Sequence, residues 1–397
     1  MSRVPARGMV QATRISLTTY IGVVALTGSL AVAQFYFLPN NLGIRGFGMV
    51  ALGLSVIQAA LQFGDLGAIN ASLRTDVGPE VRAALREQAV AISSLLCLAG
   101  IAVSCALGVA GVPLGYVCAA AFAAALLVVG GRARASAAAQ LGDERSSTRH
   151  NVVWQNAPKL GSIAGSFGGS ALLSMLGAVV SAALFGRPGI PPRPRWEPVR
   201  DTRRLWLPGL AVSGTAFAMS WADTYALSAV AGIDEAGQYQ AIVRPLTGIT
   251  YLYLPVVALI QAAHNIAARR RERLLTVAGA GAGALGAVAV AVFLLGFGDR
   301  IWPDFRFEPA VVIAASVAAV AMCVATVVGV QLILRGMQVI ASVIAIVGAV
   351  VLLVVSLGTV GSLGALGAGL ASAIAWTGVA AANGLALVTR HDRRRTP

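Results

Sequence analysis

Twelve apolar runs follow one another along the chain with little between them, near residues 15–37, 46–66, 89–110, 114–131, 151–168, 170–186, 205–229, 237–263, 274–297, 309–334, 339–357 and 363–389. About 20 such residues, wound as a helix, cross a hydrocarbon core of about 30 Å. In lipid every backbone N–H and C=O must be satisfied within the protein, so runs of this length can span only as helices. The expected fold is therefore an all-α polytopic membrane protein with about 12 transmembrane helices. Composition agrees, since only 12% of residues are charged where a soluble domain carries about a quarter.

The charge that remains is lopsided. Net charge is +14, and 29 of the 30 basic residues are arginine. With the amino terminus taken as cytoplasmic, 25 of the 30 fall in the tails and inward loops, against Arg45, Arg300 and Arg306 in outward loops. This is the positive-inside asymmetry that orients membrane helices. The basicity is thus read as an orientation signal, with no nucleic-acid partner expected. The expected location is the cell (inner) membrane, multi-pass, with both termini cytoplasmic. Cys97, Cys105, Cys118 and Cys323 lie inside apolar runs without paired-ligand spacing, so neither disulfides nor a metal site is expected. The basic start and the stretch Ala31-Val-Ala-Gln imitate a cleavable signal peptide. That run continues through Phe35 to Pro39, and a spanning helix is the preferred reading.

Sliding the sequence by 189 residues aligns 36–48 (YFLPNNLGIRGFG) with 225–237 (YALSAVAGIDEAG), which share Tyr-x-Leu-x4-Gly-Ile-x3-Gly. Both copies fall where the first helix of a half ends outside and the second begins. Two halves entering from the same side make a parallel repeat about an axis along the membrane normal. The expected units are a six-helix bundle at 1–186, a basic cytoplasmic linker at 187–204 rich in Pro and Arg, and a second six-helix bundle at 205–397. Connections of at most about twenty residues leave no room for a soluble catalytic domain, and no G-x4-G-K-[ST] loop is present. Such a chain suits a secondary transporter that rocks one bundle against the other.

Ionisable groups at membrane depth cost about 3 kcal/mol or more each and are functional candidates. Lys159, the only lysine, lies roughly 12 Å beyond Asn151 along its helix, near the midplane. Asn151, Gln155, Lys159, Ser162 and Ser166 follow spacings that share one helical face. Lipid would not tolerate this stripe, so it is expected to face a polar cavity, with Pro158 accommodated there. A positive centre in water is what an anionic substrate needs; snorkelling of Lys159 and pairing with an acid remain open. Asp223 and Arg244 lie at matching depths, roughly 10 Å below the outer surface, on consecutive helices. They form either a purely structural ion pair or a pair that keeps a gate or substrate site poised. Asp65, near the inner end of the 46–66 run, is either an interfacial helix end or a coupling-ion site. The expected cavity set is Lys159, Arg244, Gln155, Asn151 and Ser162, with Asp223 and Asp65 for gating or ion coupling.

The run 46–74 (GFGMVALGLSVIQAALQFGDLGAINASLR) resembles the second-helix signature of bacterial polysaccharide and O-antigen (Wzx-like) flippases, and so do 221–261, with an acid followed by Gly-x-Tyr and Pro, and 361–375. These flippases belong to the multidrug/oligosaccharidyl-lipid/polysaccharide (MOP) exporter superfamily. The resemblance implies two six-helix bundles in a V, like the MATE transporters, and movement of an undecaprenyl-pyrophosphate-linked oligosaccharide to the outer leaflet for polysaccharide or lipopolysaccharide synthesis. It matches Asp223 to the family's helix-seven acid, Gly237 and Tyr239 to its Gly-x-Tyr, and Gly64, Asp65 and Leu66 to its helix-two ending. It implies a lipid-linked oligosaccharide as cargo, with a polysaccharide polymerase and glycosyltransferases as partners. H⁺ or Na⁺ coupling at Asp65 or Asp223 would fit, with no other cofactor. The rivals are a MATE-type drug or cation antiporter, which should line its cavity with carboxylates, and a membrane glycosyltransferase or polymerase. The best acidic cluster for an enzyme is Asp299, Asp304 and Glu308, which a solvated loop explains more cheaply.

Overall fold

The structure, a computed structural model, describes residues 17–63, 78–140, 144–186, 203–248, 260, 269–335 and 337–393. Ten helices are formed there: α1 (Leu17–Phe63), α2 (Pro79–Val109), α3 (Pro113–Gln140), α4 (Glu144–Ser166), α5 (Ala171–Gly186), α6 (Arg203–Val230), α7 (Ile233–Gly248), α8 (Arg269–Ile301), α9 (Pro309–Leu334) and α10 (Gln338–Arg393). Among the described residues, then, the count is ten where twelve spans were expected. Asp65 and the linker 187–202 lie outside the described residues, as does the side chain of Asn151.

Two of the ten are too long to be single spans. At 1.5 Å per residue, the 47 residues of α1 and the 56 of α10 would extend roughly 70 and 84 Å if straight, more than twice the hydrocarbon thickness. Each is broken at one glycine in the left-handed region, Gly43 (φ 63°) in α1 and Gly364 (φ 53°) in α10. Only glycine takes that conformation without a Cβ penalty, so each chain turns there with helix on both sides and almost no loop. Proline opens α2, α3 and α9, where its missing N–H costs no intrahelical bond.

Six helices, α1, α2, α3, α8, α9 and α10, are long and apolar enough to cross a membrane, and α5 is a shorter apolar helix. The helices that carry Lys159, Asp223 and Arg244, which are α4, α6 and α7, fall outside that set: α7 has 16 described residues, and α4 and α6 carry more polar residues along their length. α2 and α8 present much apolar surface, with Leu95 and Val103, and Leu285 and Val292, each more than half exposed. Apolar side chains facing outward in this way suit a lipid surround.

The helices pack as two sets. In the first, α3 is central, touching α1, α2, α4 and α5, with Ala121, Ala124, Ala125 and Val128 fully buried on it. In the second, α10 packs on α6 and α9, and α9 on α8 and α7. Small residues at these contacts let helix backbones approach, which is how helices associate where lipid removes the hydrophobic drive. Among the described residues, the main contacts between the sets run through α1 against α6 and α7.

Candidate functional site

A cavity of about 540 Å³ lies between the two sets, lined from α1, α4, α6, α7, α9 and α10. Lys159 and Gln155 enter it from α4, Asp223 and Trp221 from α6, and Arg244 from α7. Four residues expected from the sequence thus meet in one cavity although 155 and 244 stand far apart in the chain.

The α4 stripe divides. Gln155 and the half-buried Lys159 border the cavity, whereas Ser162 and Ser166 are fully buried and face α1. Gln34 donates Nε2–H to Ser162 Oγ at 2.9 Å, Asn41 donates to Ser166 Oγ at 2.9 Å, and Asn156 donates to Thr27 Oγ1 at 3.2 Å. Positions 27, 34 and 41 recur every seven residues, so one edge of α1 meets α4 through polar side chains over roughly 21 Å. A neighbouring side of α4 is held by α5. A β-carbon at Gly161 would come under 3.0 Å from the Gly177 carbonyl oxygen, and one at Gly177 equally close to Gly161 O. With its last turns clamped between α1 and α5, α4 turns the earlier part of the same stripe, Gln155 and Lys159, to the cavity.

Asp223 is buried, and its carboxylate is surrounded by donors. Tyr239 and Ser372 each give O–H to Oδ2 at 2.6 Å, and the Thr224 N–H meets Oδ1 at 2.6 Å, with Thr224 Oγ1 at 3.2 Å. Three helices, α6, α7 and α10, thus converge on one carboxylate, which suits a buried charge whose lone pairs need partners. Thr224 Oγ1 also accepts from Gln240, and Gln240 Oε1 accepts from Arg244 Nε at 2.5 Å. The Arg244 guanidinium carbon sits 3.5 Å from the centroid of the Trp221 ring, a cation–π contact. Trp221 in turn donates Nε1–H to Gln58 Oε1 on α1 at 2.8 Å, and Tyr225 and Ser55 share a 2.6 Å hydrogen bond. Asp223 and Arg244 are therefore linked through Thr224 and Gln240, and the network reaches the other set of helices.

Sequence reasoning missed Trp221, Gln240, Ser372 and Gln58. Gln240 was within reach, since it stands four residues before Arg244 on the same helical face. Ser372 carried no local signal, being 149 residues from Asp223 in an alanine-rich run.

The repeated motif also meets itself. Gly43 and Gly232, equivalent at the 189-residue offset, both have positive φ, 63° and 97°. Five residues on, Gly48 and Gly237 touch across the interface: a β-carbon on Gly48 would lie 3.1 Å from Gly237 N, and one on Gly237 would lie 3.1 Å from Gly48 N.

No protein-family model matches the chain, and no curated protein matches it. Solved structures do share its shape. Lipid II flippase MurJ in an inward closed conformation superposes with a TM-score of 0.64 at 10% identity, covering 93% of this chain and 86% of that one. The inward-facing form of a multidrug resistance MATE family transporter of the MOP superfamily gives 0.59 at 15%, covering 96% and 99%. A MOP superfamily transporter from Pyrococcus furiosus Vc1 (DSM3638), described as having a binding pocket of reverse polarity, gives 0.57 at 14%, covering 96% and 95%. At such identities the likeness speaks for the architecture, and this chain has the fold of the MOP superfamily transporters.

Proposed function

We propose that the chain is a secondary transporter that carries the head group of a lipid-linked, diphosphate-bearing oligosaccharide across the membrane by alternating access. The observation that carries the reading is that Lys159 and Arg244, on α4 of one set of helices and α7 of the other, line a single cavity. Asp223, a carboxylate in the cavity wall, accepts hydrogen bonds from Tyr239, Ser372 and Thr224. Lys159 and Arg244 bring positive charge to the space an incoming ligand would occupy, and a phosphate cannot leave water without such partners. A lipid tail can stay in the bilayer while the head passes between the sets, and differential affinity for the head in the two states drives the cycle. Asp223 is also the group on which H⁺ or Na⁺ coupling would act.

The aromatic lining favours a second reading. Trp154, Trp221, Trp376 and Phe35 border the cavity, and a planar organic cation of the kind carried by drug antiporters would stack on such faces. One experiment separates the two. Purified protein in liposomes is given either a fluorescent undecaprenyl-diphosphate sugar or a fluorescent organic cation, and movement across the bilayer is followed. Flipping of the diphosphate lipid, lost in Lys159→Ala and in Arg244→Ala, supports the proposal. Cation transport without diphosphate flipping, or undiminished flipping in both variants, overturns it.

A further inference from the structure

We infer that the two copies of Gly-Ile-x3-Gly form a reciprocal clasp that closes one end of the cavity, and that parting them is the step that opens that end. The inference rests on the transporter reading and adds to it the residues that gate the path.

Three observations meet at this point. The first is the symmetry of the contact. A β-carbon at Gly48 would fall under 3.0 Å from the Ile233 carbonyl oxygen, and one at Gly237 under 3.0 Å from the Ile44 carbonyl oxygen. Each glycine is thus packed against the backbone of the other copy's isoleucine, as a two-fold relation between repeats requires. Carbonyl oxygens on helical backbone cannot step aside as a flexible side chain can, so the approach exists only because both positions lack a side chain.

The second is the place of the contact relative to the cavity. Its lining begins beside the clasp, at Phe47 on α1 and Tyr239 on α7, both buried. It then runs away from the clasp through Ala51, Leu54, Gln58 and Leu61 on α1, and through Val243, Arg244 and Thr247 on α7. From Gly48 to Leu61 is roughly 20 Å of helix in one direction. Leu38, on the segment before Gly43, is 1% exposed and belongs to the same wall.

The third is that a further contact crosses between the sets beside the clasp, where Phe47 meets Phe305 edge to face at 6.0 Å. The second copy is itself held firmly within its own set: Gln238, one residue past Gly237, exchanges hydrogen bonds with the Arg306 backbone, and Glu235 accepts from the Ala365 N–H at 3.3 Å, beside the break at Gly364. By the positive-inside assignment this end is the outer one, and the structure is closed outward.

The closed state needs bare glycine, whereas a state in which the copies have parted tolerates a methyl group at either position. Gly48→Ala and Gly237→Ala therefore favour opening at this end. Arg45 and Asp234 are both exposed and equivalent by the same offset, which makes them matched reporter positions. In a chain with its four native cysteines replaced by alanine or serine, spin labels are placed at Arg45→Cys and Asp234→Cys in liposomes. The expected result is one short distance in the parent and a shift to longer distances in each glycine variant. Overpacking of this kind should raise the open-to-closed ratio by about tenfold. Gly361→Ala serves as control, because its methyl would meet only an ordinary 3.8 Å contact with Val230. Unchanged distances in both variants overturn the inference. Should the variants not reach the membrane, a short reducible crosslink between Arg45→Cys and Asp234→Cys in the chain with both glycines intact must stop transport until reduced, and transport that continues through the crosslink overturns it. The label distances need no cargo, so a clasp that opens as expected while no diphosphate lipid moves sinks the cargo reading and leaves the gate standing.

Discussion

The guanidinium of Arg244 lies 3.5 Å above the Trp221 ring, and the same indole donates to Gln58 at 2.8 Å. A cation from one set of helices is thereby positioned by a ring that is anchored to the other set. Any movement that separates α1 from α6 must break the Trp221–Gln58 bond and release the platform under Arg244.

Arg244→Lys is accordingly not a conservative change. Lysine keeps the charge but cannot stack as a plane or keep the Nε bond to Gln240. We expect transport at saturating cargo to fall about tenfold, and Trp221→Leu to weaken apparent affinity by a similar factor while the protein stays folded. Steady-state flipping as a function of cargo concentration checks both. Wild-type parameters in Arg244→Lys would show that the stack has no part in binding.

Lys159 should behave differently. It lines the cavity from α4, and a phosphate contact by an ammonium depends on charge more than on a planar fork. Lys159→Arg is expected to retain part of the activity and Lys159→Ala to lose about 10- to 100-fold, the equivalent of one charge-assisted hydrogen bond of about 1.5–3 kcal/mol. Retention of the same activity by alanine and arginine variants would remove charge from the explanation.

Exchanging Asp223 and Arg244 should not restore function. A guanidinium at 223 would be buried facing the hydroxyls of Tyr239 and Ser372, which now act as donors to the carboxylate. The double variant is expected to be less stable than either single one, read from melting in detergent. Tyr239→Phe removes one donor and should cost about 1–2 kcal/mol. Asp223→Asn preserves the shape, and if Asp223 couples transport to H⁺ or Na⁺ it should abolish dependence on the ion gradient while cargo binding persists.

A fourth expectation concerns the support of α4. Gly161→Ala would force its methyl against the Gly177 backbone, where overpacking costs about 1–3 kcal/mol or more. The melting temperature in detergent should fall. Gly28→Ala, whose methyl would meet nothing within 4 Å, should leave it unchanged. A melt insensitive to Gly161→Ala would mean that α4 and α5 are not clamped as described.

The sequence alone pointed to a membrane medium and to helix as the prevailing element, because apolar run length and helical spacing are local properties. It also held the repeat, since Gly43 and Gly48 recur as Gly232 and Gly237. It could not decide which face of α4 meets water. Gln155, Lys159, Ser162 and Ser166 share one stripe by spacing, yet the last two bond to Gln34 and Asn41, so the stripe divides between cavity and helix contact. Nor could it bring Ser372 to Asp223 across 149 residues, or show that Gly48 and Gly237 touch. Periodicity fixes directions within one helix, whereas the partner each direction finds depends on how closely small residues let distant helices approach, and that is settled only when the whole chain has packed.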